Sequence, residues 1–110
     1  MLKKLQNNFI NSLNGVKEAF KEHSFVLEIL LGLPLTLYIV FSNIELLFKL
    51  LLILNFFLIL IFEIFNTSIE KLCNKITKEN DDEIKSIKDL SSSGVFLSII
   101  CLFILFVISL

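Results

Sequence analysis

Glycine is nearly missing from this chain: Gly15, Gly32 and Gly94 are its only three in 110 residues. So few cannot write a P-loop or a dinucleotide-binding fingerprint, and any nucleotide chemistry must use another architecture. Histidine and cysteine are as scarce. His23, Cys73 and Cys101 have no metal-ligand spacing between them. Cys101 lies deep in an apolar run and Cys73 in a basic stretch, which argues against a disulfide and leaves both as inert fillers. An excess of one charge is also lacking. The formal net charge is −1, no nucleic-acid-binding motif is present, and that class of partner is excluded. The first 22 residues alternate charge and apolarity through Lys3, Lys4, Lys17, Glu18, Lys21 and Glu22. They lack the apolar region and small-residue cleavage site of a signal peptide.

What abounds is hydrophobicity. Hydrophobic residues make up 55% of the chain and the mean hydropathy is +0.84, too apolar for an ordinary soluble domain. One domain, 1–110, fits the length. Three apolar runs stand out, at about 24–41, 44–65 and 93–110. Each is close to the ~20 residues that cross a ~30 Å hydrocarbon core as a helix. None shows the period-two alternation of a barrel strand, so the expected fold class is all-α and integral to the membrane, with three transmembrane helices. Pro34 interrupts the first run and is expected to remove a hydrogen bond there. The short turn "FSNI" makes a hairpin of the first two spans. Asn55, in mid-membrane, requires a partner across a helix interface, and Gly94 with Ser98 forms a small-xxx-small pair suited to close packing.

Ahead of the first span, Leu5, Phe9, Leu13, Val16 and Phe20 recur at helical spacing with lysines elsewhere. This predicts an amphipathic surface helix over about 1–22; the alternative is a short helix packed on the protein's own loops. Lysines cluster before the first span and again at Lys71, Lys75, Lys78, Lys85 and Lys88. The positive-inside rule therefore places the N-terminus and a polar loop at about 71–88 in the cytoplasm.

The stretch "FEIFNTSIEKLCNK" ends the second run. On a helix, Glu63, Asn66, Thr67, Glu70 and Asn74 form one polar stripe, with Ile64, Phe65, Ile69 and Leu72 opposite. A carboxylate near hydrocarbon is disfavoured by up to ~3 kcal/mol. Either Glu63 reaches out to the headgroups and Glu70 is simply exposed, or the stripe works. Aligned carboxylates can act as a general base or hold Mg²⁺ together with phosphate oxygens. Glu22 and Glu28 flank the start of the first span, and "KDLSSSG" opens the third, where Lys88 suits a phosphate and Asp89 or Ser91 suits a helix N-cap.

"EIFNTSIE", followed at Lys88–Asp89 by "KD", resembles the signature of the prokaryotic diacylglycerol kinases, and the upstream "GVKEAFKEHSFVLE" is similar to that family's surface-helix motif. The resemblance covers nearly the whole chain. It implies a homotrimeric multi-pass protein of the bacterial inner membrane. Such a kinase transfers the γ-phosphate of MgATP to a lipid hydroxyl at the cytoplasmic interface, giving phosphatidic acid when the lipid is diacylglycerol. Carried over by position, Glu63 would be the general base. Glu22 and Glu70 would hold the metal with ATP, Lys88 and Asp89 would contact the nucleotide, and Glu79, Asn80 and Asp81 would lie against adenine and ribose. Asn66 would order the site, with Glu28 and Ser92 in supporting or substrate-side positions. Phosphoryl transfer asks mainly for positioning and charge neutralisation, which suits so small a constellation.

The match has three departures. Asn74 stands where the family usually has aspartate, "DLSSSG" replaces a run richer in glycine and alanine, and the segment Gly15–Glu28 is one residue shorter. The last leaves Glu22 or a neighbour, His23, as the metal-side residue, and spacing favours Glu22. Glu28, where undecaprenol-specific relatives carry histidine, points to diacylglycerol over undecaprenol. Against the enzyme stand two other classes: a non-enzymatic membrane subunit that keeps the fold, and a channel, which would spread its polar residues through the membrane depth.

Overall fold

A computed structural model describes all residues, 1–110. The chain is all-α: α1 spans Leu2–Ala19, α2 His23–Phe41, α3 Leu46–Ile76 and α4 Asp82–Ser109. The last three are long and apolar enough to cross a membrane.

The surface segment expected over 1–22 is helical to Ala19, where the chain turns. Backbone N–H groups of Lys21 and Glu22 donate to Glu18 and Ala19, Glu22 takes extended torsions, and the next helix begins. Phe20 and Phe25 meet edge-to-face across this corner, ring centres 5.2 Å apart, a favoured aromatic geometry. Beyond the corner α1 stands off from the bundle, with Leu5, Phe9, Leu13 and Val16 all exposed.

At 19 residues, α2 is about 28 Å long at 1.5 Å per residue, matched to the hydrocarbon thickness. It continues through Pro34, where the absent N–H costs one bond without ending the helix, as membrane helices tolerate. Gly32 lies so close under the Phe56 ring of α3 that a Cβ there would overlap it. At the far end Ser42 turns extended, and Lys49 Nζ donates to the Val40 carbonyl at 2.9 Å, satisfying one of the terminal carbonyls that a helix leaves unpaired.

The structure corrects the extent of the next two elements. α3 runs on to Ile76 and α4 begins at Asp82, so the polar loop expected over 71–88 shrinks to residues 77–81. Hydropathy marks where lipid ends and says nothing of where a helix ends. Residues 66–76 and 82–92 contain no proline or glycine, so both helices carry on past the membrane. α4 is capped by Asp81, whose carboxylate accepts the N–H groups of Glu83 at 2.9 Å and Ile84 at 3.1 Å. Asp82 and Glu83 add favourable charge in the first turn. Asp89 and Ser91, the expected caps, sit inside the helix.

α3 and α4 form the main packed pair, while α2 lies against α3 over a smaller area. Leu52, Ile59 and Cys73 of α3 and Val95 of α4 are buried in the bundle. Asn55 finds the partner its depth requires, its Nδ2 donating to the Ser98 carbonyl at 3.1 Å. Elsewhere the large apolar side chains face outward, among them Leu30, Phe57 and Phe103, a surface suited to lipid and not to water.

Candidate active site

The site gathers where the apolar part of α3 gives way to its polar extension. Glu63 and Asn66, one turn apart, are buried, at 5% and 7% exposure, and Glu70 on the following turn is exposed. The first turn of α2 crosses beside Glu63: the Ser24 hydroxyl donates to Glu63 Oε1 at 2.7 Å. One turn further along α2, the Glu28 carboxyl lies beside Glu63, its Oε2 buried with no hydrogen-bond partner. Asn66 donates from Nδ2 to Glu70 Oε1 at 3.1 Å, which orients that carboxylate, while Asn66 Oδ1 is buried and unpaired. α4 closes the far wall. Ser24, Glu63, Asn66, Glu70, Ser92 and Val95 thus line one groove of about 360 Å³. Of the residues singled out in the sequence, Glu63, Asn66, Glu70 and Ser92 are brought together here, while Glu28 lines a separate apolar cavity with Gly32 and Ile59.

A second cavity, of about 590 Å³, lies at the α3–α4 turn, lined by Glu79, Asn80, Asp81, Lys85 and Lys88 among others. Lys88 Nζ donates to Asn74 Oδ1 at 2.6 Å, linking the two helical extensions. Asp89 is not in this cavity. It lines a neighbouring groove along α4 with Asp82 and Ser93 and holds Lys85 at 2.7 Å.

Glu22 sits at the N-cap position of α2, with Oε1 3.3 Å from Lys71 Nζ on α3. Lys71 also lies 4.0 Å from Glu18. The Lys21 ammonium, by hydrogen bond and charge, holds the Glu18 carboxyl below its ordinary range, with a further contribution from Lys71, and Glu18 in turn raises Lys21.

No three acidic, histidine or cysteine side chains converge into a cage that would hold a metal unaided. Two hard-oxygen donors do lie together, the Glu70 carboxylate and, one turn away, the unpaired Asn66 Oδ1, while the Glu22 carboxylate lies against Lys71. That chemistry fits a Mg²⁺-type ion, which takes one or two carboxylates and completes its shell with phosphate and water.

Ser24, Lys71 and Lys85 are the site residues that sequence reasoning missed. Ser24 was visible only as a polar residue two positions after Glu22, and its contact with Glu63 spans 39 residues of sequence.

A comparison with curated proteins finds no match. Against protein-family profiles, residues 10–110 match the family described as prokaryotic diacylglycerol kinase, and the chain, whose buried glutamate faces a polar groove at the end of an apolar helix, belongs to that family of membrane lipid kinases.

Proposed function

We propose that this protein is an ATP-dependent diacylglycerol kinase, transferring the γ-phosphate of MgATP to the free hydroxyl of diacylglycerol and releasing phosphatidic acid and ADP. The observation that carries this reading is Glu63: a carboxylate buried at the end of an apolar helix, oriented by a hydrogen bond, and opening on a groove with Asn66 and Glu70. A charge placed there without work to do would be a cost with no return.

In this reading the lipid lies with its chains along the outward-facing apolar side chains and its hydroxyl at the groove. Glu63 accepts the hydroxyl proton as the oxygen bonds to the γ-phosphorus and the bond to the bridging β,γ-oxygen breaks. Glu22 and Glu70 would hold Mg²⁺, whose charge offsets that of the phosphates. Lys88, on α4, reaches phosphate oxygens from the wall of the cavity at the α3–α4 turn, and Glu79, Asn80 and Asp81 receive the nucleoside end there. Asp89 bears on the nucleotide through Lys85, which it holds and which lines the same cavity. Asn66 keeps Glu70 turned toward the groove. Glu28, beside the base, supports diacylglycerol as the acceptor, with Ser92 on the opposite wall.

The same reading sets the protein in the bacterial inner membrane with its N-terminus and the 77–81 turn in the cytoplasm, as the lysine clusters favour. α1 lies on the membrane surface with Leu5, Phe9, Leu13, Val16 and Phe20 toward lipid. Three copies associate through the exposed apolar faces of α2–α4.

The test is transfer of labelled γ-phosphate from MgATP in mixed micelles, with diacylglycerol and undecaprenol offered separately. Labelling of diacylglycerol that Glu63→Gln abolishes is the expected result. Preferential labelling of undecaprenol would reassign the acceptor, and labelling of neither by a folded oligomer would favour a non-enzymatic subunit.

A further inference from the structure

Serine hydroxyls in this protein have a habit. Ser12, Ser42, Ser68, Ser93, Ser98 and Ser109 each donate to a backbone carbonyl three or four residues back, the usual outlet for a helical serine. Ser24 departs from it. It is the second residue of α2, so the residue four positions back, Phe20, lies before the helix, and the hydroxyl goes to a side chain on another helix, Glu63 Oε1, at 2.7 Å. Of the side-chain to side-chain hydrogen bonds in the chain, this one spans the greatest sequence distance and reaches a buried acceptor.

The consequence for Glu63 is specific. A glutamate has three rotatable bonds, and at the edge of hydrocarbon it would otherwise be free to turn its carboxylate outward to the headgroups. With Oε1 engaged by Ser24, the carboxylate is held at one of its two oxygens. Oε2 is left without a protein hydrogen-bond partner and is not among the fully buried orphan atoms, while Glu63 itself lines the groove. One oxygen is tethered and the other is presented. A hydroxyl donor also leaves the carboxylate's charge in place, where a lysine would neutralise it.

We propose that Ser24 is a positioning residue that fixes the Glu63 carboxylate, turning its free oxygen toward the acceptor hydroxyl in the groove. This rests on the kinase reading above. Ser24 touches neither lipid nor nucleotide; it acts through Glu63. Its effect therefore falls on turnover and not on substrate affinity, because a misdirected base still permits binding but rarely meets the reacting proton.

The test compares Ser24→Ala, Ser24→Thr and, as a control that removes an exposed hydroxyl bonded only within its own helix, Ser68→Ala. Steady-state phosphate transfer is measured over both substrates, alongside infrared difference spectra of the carboxylate band that Glu63→Gln deletes. A hydrogen bond to a charged group corresponds to roughly 10- to 100-fold in rate. Ser24→Ala is expected to lower kcat by about tenfold at the lower end of that range, with both KM values unchanged within about twofold, and to shift the Glu63 band. Ser24→Thr, which keeps the donor, restores kcat and band position, and Ser68→Ala matches wild type. An unchanged kcat in Ser24→Ala, a Thr variant as slow as the Ala variant, or an unmoved band would each overturn the positioning role. A wild-type chain that transfers no phosphate would instead overturn the kinase reading, and this role with it.

Discussion

The two halves of α3 bury polar groups in opposite ways. In the apolar half, Asn55 lies half-buried against α4 and donates to the Ser98 carbonyl at 3.1 Å, and Ser98 in turn donates to Val95. In the polar half, Asn66 uses its amide nitrogen to hold Glu70 but leaves Oδ1 buried and unpaired, and on α2 Glu28 Oε2 is in the same condition. Buried polar atoms are nearly always paired in native structures, and exceptions mark ligands or function. Asn55 is therefore a structural asparagine that locks α3 to α4. Asn66, in the proposed reading, belongs to a site whose remaining partners arrive with the substrates.

That contrast can be broken experimentally. Asn66→Ala should cost about 10- to 100-fold in phosphate transfer, since Glu70 loses its orienting donor, while the thermal midpoint in detergent changes little. Asn55→Ala should do the reverse, lowering stability by roughly 0.5–2 kcal/mol in a reversible unfolding titration and leaving kcat intact. If both variants behaved alike, the distinction between paired and unpaired asparagine would fail.

A second pair sharpens it through packing. Gly32 sits against the Phe56 ring, so Gly32→Ala should destabilise the α2–α3 contact by about 1–3 kcal/mol, and Phe56→Leu in the same chain should recover part of the loss. At Gly94 an added Cβ would meet Phe62 Cδ1 at 3.9 Å, an ordinary contact. Gly94→Ala should therefore be neutral or slightly stabilising by the same titration. The small-xxx-small pair read in the sequence thus places its tight contact at Ser98 and not at Gly94.

The smallest effect belongs to the exposed end of α1. Glu18 is held below its ordinary value of 4.5 by Lys21 first, so what it contributes is present above that value and is lost as pH falls through the lowered one. Lys21 is raised above 10.5, so its share is present below that value and lost as pH rises through the raised one. Ordering of the α1 corner, followed by amide exchange at Lys21 and Glu22, should accordingly be flat near neutrality and loosen only in acid or strong base. Glu18→Gln should remove both limbs, and 0.5 M salt should shrink them.

Much of this architecture was legible in the chain. Three long apolar runs name three spanning helices because lipid tolerates no unpaired backbone. The spacing of Glu63, Asn66 and Glu70 names one face because a helix repeats every 3.6 residues. Where α3 and α4 stop was not legible, since helix continues through Asn66–Ile76 and Asp82–Ser92 on local propensity after hydropathy has fallen away. The Asp81 cap was hidden among neighbouring acidic residues, any of which could have served. Ser24 against Glu63 could not be read at all. It depends on how α2 leans on α3, and no local pattern encodes that crossing.

The central claim is that Glu63 is a base and not a stranded charge. The most direct measurement is labelled γ-phosphate transfer from MgATP to diacylglycerol in mixed micelles by wild type and Glu63→Gln, with the oligomer of each confirmed in the same detergent. The account predicts transfer by wild type and a loss of about 10²–10⁴-fold or more in the variant, with assembly unchanged. Equal transfer by both, or none by a correctly assembled wild type, would contradict it.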